Sequence, residues 1–219
     1  KDEISAVDKK VAVIISDALR YEVGESLLNE LHADSKNKAD IRYMVASIPS
    51  KTNMGMANLL PGKSREFTVE DIKIDGVSTS GTSNRQRILQ LTDKSAIATT
   101  FNTIKTNKEA ANREIFKHKV VYIYHDIIDS VGDKRASESR TFEAVEDTIK
   151  EIKKEVKMLH SSYAVSRVLI TADHGFLYND KLIEDKDKED LTGIESANSH
   201  NRYEILKENI DNNFSYCFP

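Results

Sequence analysis

The sequence predicts an α/β domain with a mostly parallel central sheet and helices on both faces. Three observations carry this expectation. Short apolar runs of strand length alternate with stretches whose apolar residues recur at helical spacing, as a parallel sheet with crossover helices requires. Two of the runs, in Val11 to Ile15 and Lys119 to Tyr124, are apolar almost throughout, which suits strands buried on both faces. Glycine and proline number eight and three in 219 residues, too few for a fibrous or disordered chain.

Taken in order, Val11 to Ile15 is the first strand, ending in Ser16-Asp17. Arg20 to Leu31 is a helix with Val23, Leu27, Leu28 and Leu31 on one stripe. Ile41 to Ile48 reads as a second strand. Thr52 to Leu60 is a short helix with Thr52 at its N-cap, stopped by Pro61-Gly62. Glu66 to Val77 alternates and contains Asp75-Gly76, a hairpin signal. Ser83 to Leu91 and Asn107 to Phe116 are helices on either side of a weak strand, Ser95 to Phe101. After the strand Lys119 to Tyr124 comes a long amphipathic helix, Ser137 to Leu159, and then the strand Arg167 to Thr171. Glu184 to Asp190 is a charge run expected in a solvated loop.

The length suits one large domain over residues 1–219. The chain opens on Lys1 and closes on an apolar run, Phe214 to Pro219, and reads as an excised piece of a longer protein. A net charge of -4 gives no global attraction to nucleic acid, although bound metal ions can supply local positive charge to a phosphate-cleaving site. The single cysteine, Cys217, excludes an internal disulfide framework and a cysteine-based zinc site, and is expected in the core. No signal peptide or membrane-spanning run is visible, so a cytoplasmic protein is expected.

In parallel sheets ligands bind beyond the carboxyl ends of the strands. Three strands here end in ionisable residues. The first leads to Asp17, the second to His125, Asp126 and Asp129, and the third to Asp173 and His174. Asp17 also suits a helix cap. Asp173-His174-Gly175 after an apolar strand suits a metal site if the chain bends at the glycine. His125 to Asp133 crowds three aspartates and an imidazole into one segment, which a divalent cation relieves. Thr52 lies in the positive field of a helix end, where phosphate binds and a hydroxyl can be activated, with Ser50 as the competing hydroxyl. Pro61-Gly62-Lys63-Ser64 mimics the end of a P-loop, but Ala57 stands where its first glycine belongs. There is no G-x-G-x-x-G. Leu19, two residues after Asp17, speaks against a haloacid-dehalogenase site, and His32, His118 and His160 are expected at the surface.

Four strings resemble the PglZ domain of the alkaline phosphatase superfamily, known from BREX-type phage-defence systems. They are VIISDALRYE from Val13, IPSKTNMGMANLLP from Ile48, VYIYHDIIDSVGD from Val121 and ITADHGFLY from Ile170. The resemblance implies a cytoplasmic phosphate-ester hydrolase, whether phosphatase, phosphodiesterase or nuclease. It implies two divalent cations, Zn2+ or Mn2+, and other phage-defence proteins as partners. One cation would be surrounded by Asp17, Thr52, Asp173 and His174, with Thr52 also the nucleophile, Pro49-Ser50-Lys51-Thr52 being similar to the phosphodiesterase branch's motif. The other would take His125 and Asp129, with the family's Asp and His exchanged, and His200 as third ligand. Gly132 matches a family glycine, and Arg202 is a candidate for phosphate contact. A catalytically silent metal-binding scaffold that docks other defence proteins is the alternative. A receiver-like signalling domain explains Asp17 but not His125, Asp173 or His174.

Overall fold

The computed structural model describes residues 9–34, 38–68, 71–132, 140–176, 193–200 and 203–207. Along the chain run β1 (Val11–Ser16), α1 (Tyr21–His32), α2 (Thr52–Leu59), β2 (Arg65–Phe67), β3 (Ile72–Ile74), β4 (Val77–Ser78) and α3 (Thr82–Thr92). Then follow β5 (Ile97–Thr100), α4 (Phe101–Thr106), α5 (Glu109–Ile115), β6 (Val120–His125), α6 (Ile127–Gly132), α7 (Thr141–Tyr163), β7 (Arg167–Thr171), β8 (Ser196–His200) and β9 (Tyr203–Leu206).

The central sheet has the order β5-β6-β1-β7, and every pair in it is parallel. β1 is buried along its whole length because it has a strand on each side and helices on both faces. Its odd-numbered residues, Val11, Val13 and Ile15, pack with Met56 and Ala57 of α2, Ile88 and Leu89 of α3, Ile74 of β3, and Tyr122 and Tyr124 of β6. Ala12 and Ile14 face the other way, onto Leu27 and Leu31 of α1, Phe101 and Ile104 of α4, and Ile152, Val156 and Leu159 of α7. Each large apolar side chain so buried contributes about 1.5–3 kcal/mol. The two-residue period of the strands thus assigns α2 and α3 to one face and α1, α4 and α7 to the other.

The strands expected at Val11, Lys119 and Arg167 are present, the second from Val120, and the long helix runs to Tyr163, four residues past its expected end at Leu159. The hairpin at Asp75-Gly76 is present, with φ of 49° and 78° at its two central residues. Residues 41–48 depart from expectation: they form no strand among the described residues, and Tyr43 and Val45 are 81% and 85% exposed. A β-favouring run becomes a strand only where a neighbouring edge pairs with it. The weak strand before Phe101 turns directly into α4, a helix that the apolar pattern does not reveal, capped by Thr100 accepting from the Thr103 amide. Cys217 and the charge run 184–190 lie outside the described residues.

Candidate metal centre

β1 ends at Ser16, and its alternation turns Asp17 toward the face that carries α2. Asp17 is 6% exposed. Ala18, immediately after it, is buried with φ at 63°, in the left-handed region that a residue with a Cβ rarely occupies. That turn lets the Ala18 amide donate to Asp173 Oδ1 at 3.3 Å, tying the end of β1 to the segment after β7. Asp173 is itself 3% exposed.

His174 follows. Its Nδ1 is 2.8 Å from the Gly175 carbonyl. A carbonyl only accepts, so Nδ1 carries a proton, and in the neutral imidazole Nε2 then presents its lone pair. Nε2 lies 3.1 Å from Thr52 Oγ1, 3.2 Å from Asp17 Oδ1 and 3.5 Å from Asp173 Oδ2. Asp129, carried back by α6, completes a group in which ligand atoms of Asp17, Asp129 and His174 lie within 4.8 Å of one another. Asp17 Oδ1 and Asp173 Oδ2 are buried with no hydrogen-bond partner. Buried acceptors facing one another without a donor are costly, and a cation resolves the conflict. Imidazole nitrogen with carboxylate oxygens suits zinc or manganese. These residues therefore fit a divalent ion.

Burial, reinforced by the neighbouring Asp173 and Asp129 charges, pushes the Asp17 carboxyl up from 3.8 to about 8. Without metal, the folded protein then holds a proton that the unfolded chain has already released between those values. Folded stability therefore falls as pH rises from about 4 to about 8. The melting temperature of the chelated protein is expected to drop across this window, and added Zn2+ is expected to offset the drop at the alkaline end. A melting temperature in chelator that climbs with pH would contradict this account.

Thr52 is the first residue of α2, and Lys51 takes the N-cap without a side-chain cap bond. The expected capping role is thus corrected: the Thr52 hydroxyl meets His174 instead. α2 approaches the metal-site segment so closely that a Cβ on Gly55 would stand 2.3 Å from the Asp173 carbonyl oxygen. Gly175 has a different reason from the expected bend. Its φ is not in the left-handed region, and a Cβ there would press on Arg20 Cγ at 3.1 Å.

His125 does not join the cluster. It shares the face of Val121 and Ile123, its ring meets Phe101 edge-on with centroids 4.7 Å apart, and its Nδ1 lies 3.0 Å from Ser16 Oγ. Its Nε2 is 3.8 Å from Glu151 of α7, and burial holds its pKa below the usual histidine value. The period of β6 places residues 121, 123 and 125 on the side away from Asp17. The expected pairing of His125 with Asp129 is therefore not found. Asp126 is exposed, and Ser50 is exposed. His200 ends β8 opposite Tyr203, while Arg202 and Asp133 lie outside the described residues. Gly132 ends α6. His32, His118 and His160 each bond a main-chain carbonyl away from the cluster. Sequence reasoning missed Arg85 of α3, whose charge reaches Asp17. No motif marks it, because it sits within a polar helix.

Comparison with known proteins places the chain in a family. The family model of the BREX system PglZ alkaline phosphatase-like domain matches residues 1–218. The chain belongs to the PglZ family. It is 40% identical over 183 residues to the alkaline phosphatase-like protein PglZ of Bacillus cereus (strain H3081.97), covering 83% of this chain and 21% of that protein. To the alkaline phosphatase-like protein BrxZ of Escherichia coli O9:H4 (strain HS) it is 36% identical over 187 residues, covering 84% and 21%. The chain thus spans about a fifth of the length of these curated PglZ relatives. No solved structure matches it. The matching family model describes a domain of the BREX system. No helix among the described residues is long and apolar enough to cross a membrane.

Proposed function

We propose that this PglZ domain is a cytoplasmic, metal-dependent phosphate-ester hydrolase with Thr52 as nucleophile, acting beside other BREX proteins. The observation that carries the reading is the meeting of Thr52 Oγ1 with His174 Nε2 at 3.1 Å, next to the orphaned carboxylate oxygens of Asp17 and Asp173. A hydroxyl at a helix N-terminus beside a cation site suits attack on phosphorus better than it suits a purely structural role.

Asp17, Asp129, Asp173 and His174 would hold one cation. A second ion, if the family pair is complete, would draw on His200 and on groups outside this cluster. Divalent cations at such a site polarise phosphoryl oxygens and lower the pKa of a bound hydroxyl. Thr52 Oγ1 forms a bond to phosphorus while the ester oxygen on the far side leaves with its electron pair. The hydroxyl proton passes into the surrounding carboxylates. The first-turn amides of α2, which lack a side-chain cap, would steady the charge of the transferring group. Water then cleaves the threonine phosphate and restores the hydroxyl.

Purified protein with Zn2+ or Mn2+ is expected to release nitrophenolate from nitrophenyl phosphate or its bis-nitrophenyl diester, and to stop when the metal is chelated. Oligonucleotides extend the test to nuclease activity. Bound metal with no turnover of any of these esters would replace the hydrolase by a scaffold that docks other defence proteins.

A further inference from the structure

The cation-binding residues leave Arg85 without a role. In α3, Arg85, Ile88 and Leu89 share one stripe at helical spacing, and the two apolar residues are buried against the sheet. The Arg85 stem is therefore drawn inward, on the face that also carries α2 and Thr52. Two contacts fix the side chain. Nε donates to the Thr79 carbonyl at 2.9 Å, and the guanidinium lies over the Tyr124 ring, 4.6 Å from its centroid. Tyr124 is the next-to-last residue of β6 and pairs in register with Ile15, two residues before Asp17. Its hydroxyl is buried and accepts no hydrogen bond. Among the described residues Arg85 joins no ion pair, although the carboxylates of Asp17 and Asp129, with Asp173 beside them, stand near the same sheet edge.

A clip between α3 and the Thr79 turn needs only the Nε bond. The rest of the guanidinium is a planar fork held rigid on an aromatic face, a form suited to paired oxygens of an anion. The carboxylates do not take it, since their lone pairs converge on the cation site. An ester drawn to that cation brings further phosphoryl oxygens that need donors.

We propose that Arg85 receives the non-bridging oxygens of a phosphate group bound at the Asp17–Asp129–His174 centre, which makes it a substrate-binding residue. The identity of the anion rests on the hydrolase reading.

The test is calorimetric titration of inorganic phosphate into zinc-loaded protein. Arg85→Ala is expected to weaken phosphate binding at least about tenfold, with zinc content unchanged. Arg85→Lys is expected to recover part of the loss, which a packing defect would not allow, and it stands in if the alanine variant fails to fold. Arg85→Ala binding phosphate within about twofold of wild type, or wild type binding none, overturns the proposal. Phosphate binding that depends on Arg85 in a protein that hydrolyses no ester sustains Arg85 and removes the hydrolase. Ester hydrolysis whose KM and phosphate inhibition are unmoved in Arg85→Ala keeps the hydrolase and removes Arg85.

Discussion

Thr52→Ala is expected to lower ester hydrolysis by at least about two orders of magnitude while leaving metal content almost unchanged. The substitution removes one oxygen. Asp17, Asp129, Asp173 and His174 keep their places, because none depends on the Thr52 hydroxyl for its backbone position. The loss of the contact to His174 Nε2 costs about 1 kcal/mol of stability, the usual worth of one hydrogen bond. Melting temperature and metal content should be measured on the samples used for kinetics. Full activity in a folded, metal-loaded Thr52→Ala protein would move the nucleophile to Ser50 or to a water molecule.

Asp17→Asn is expected to reverse the response to metal. The amide is neutral, so it removes the buried charge that Asp173 and Asp129 oppose. In chelator at pH 8 the variant should therefore melt no lower than wild type. With the cation at about a hundred times the wild-type dissociation constant, wild type gains about 2.7 kcal/mol and the variant little of it. Thermal melts with and without Zn2+ give all four values. Equal metal-induced stabilisation in the two proteins would remove Asp17 from the cation site.

Much of the fold and part of the centre were legible because both follow from the ends of apolar strands. VAVII and VVYIY state their own burial, the apolar run before Thr171 forms a half-buried strand beside them, and Asp17, Asp173 and His174 follow such strands directly. His125 follows a strand equally closely, yet it faces α7. Which face a strand-end residue takes depends on parity and register, and register is a matter of pairing that one strand's sequence does not state. Residues 41–48 have strand character without a strand, because a partner edge is a property of the whole sheet. Arg85 was hidden for a related reason: its neighbours Thr79 and Tyr124 come from outside its own helix.

The order β5-β6-β1-β7 has a consequence for how the molecule assembles. β1 is at the centre of the sheet, but both its partners come much later: Ser16 meets His125 across 109 residues, and Ala18 meets Asp173 across 155. A ribosome therefore releases this apolar strand long before either of the strands that flank it exists, and non-local pairing of this kind is slow and exposed to aggregation. Asp17 and His174 become neighbours only once β7 has docked. The cation can reward a finished sheet, but it cannot recruit the strands that build one.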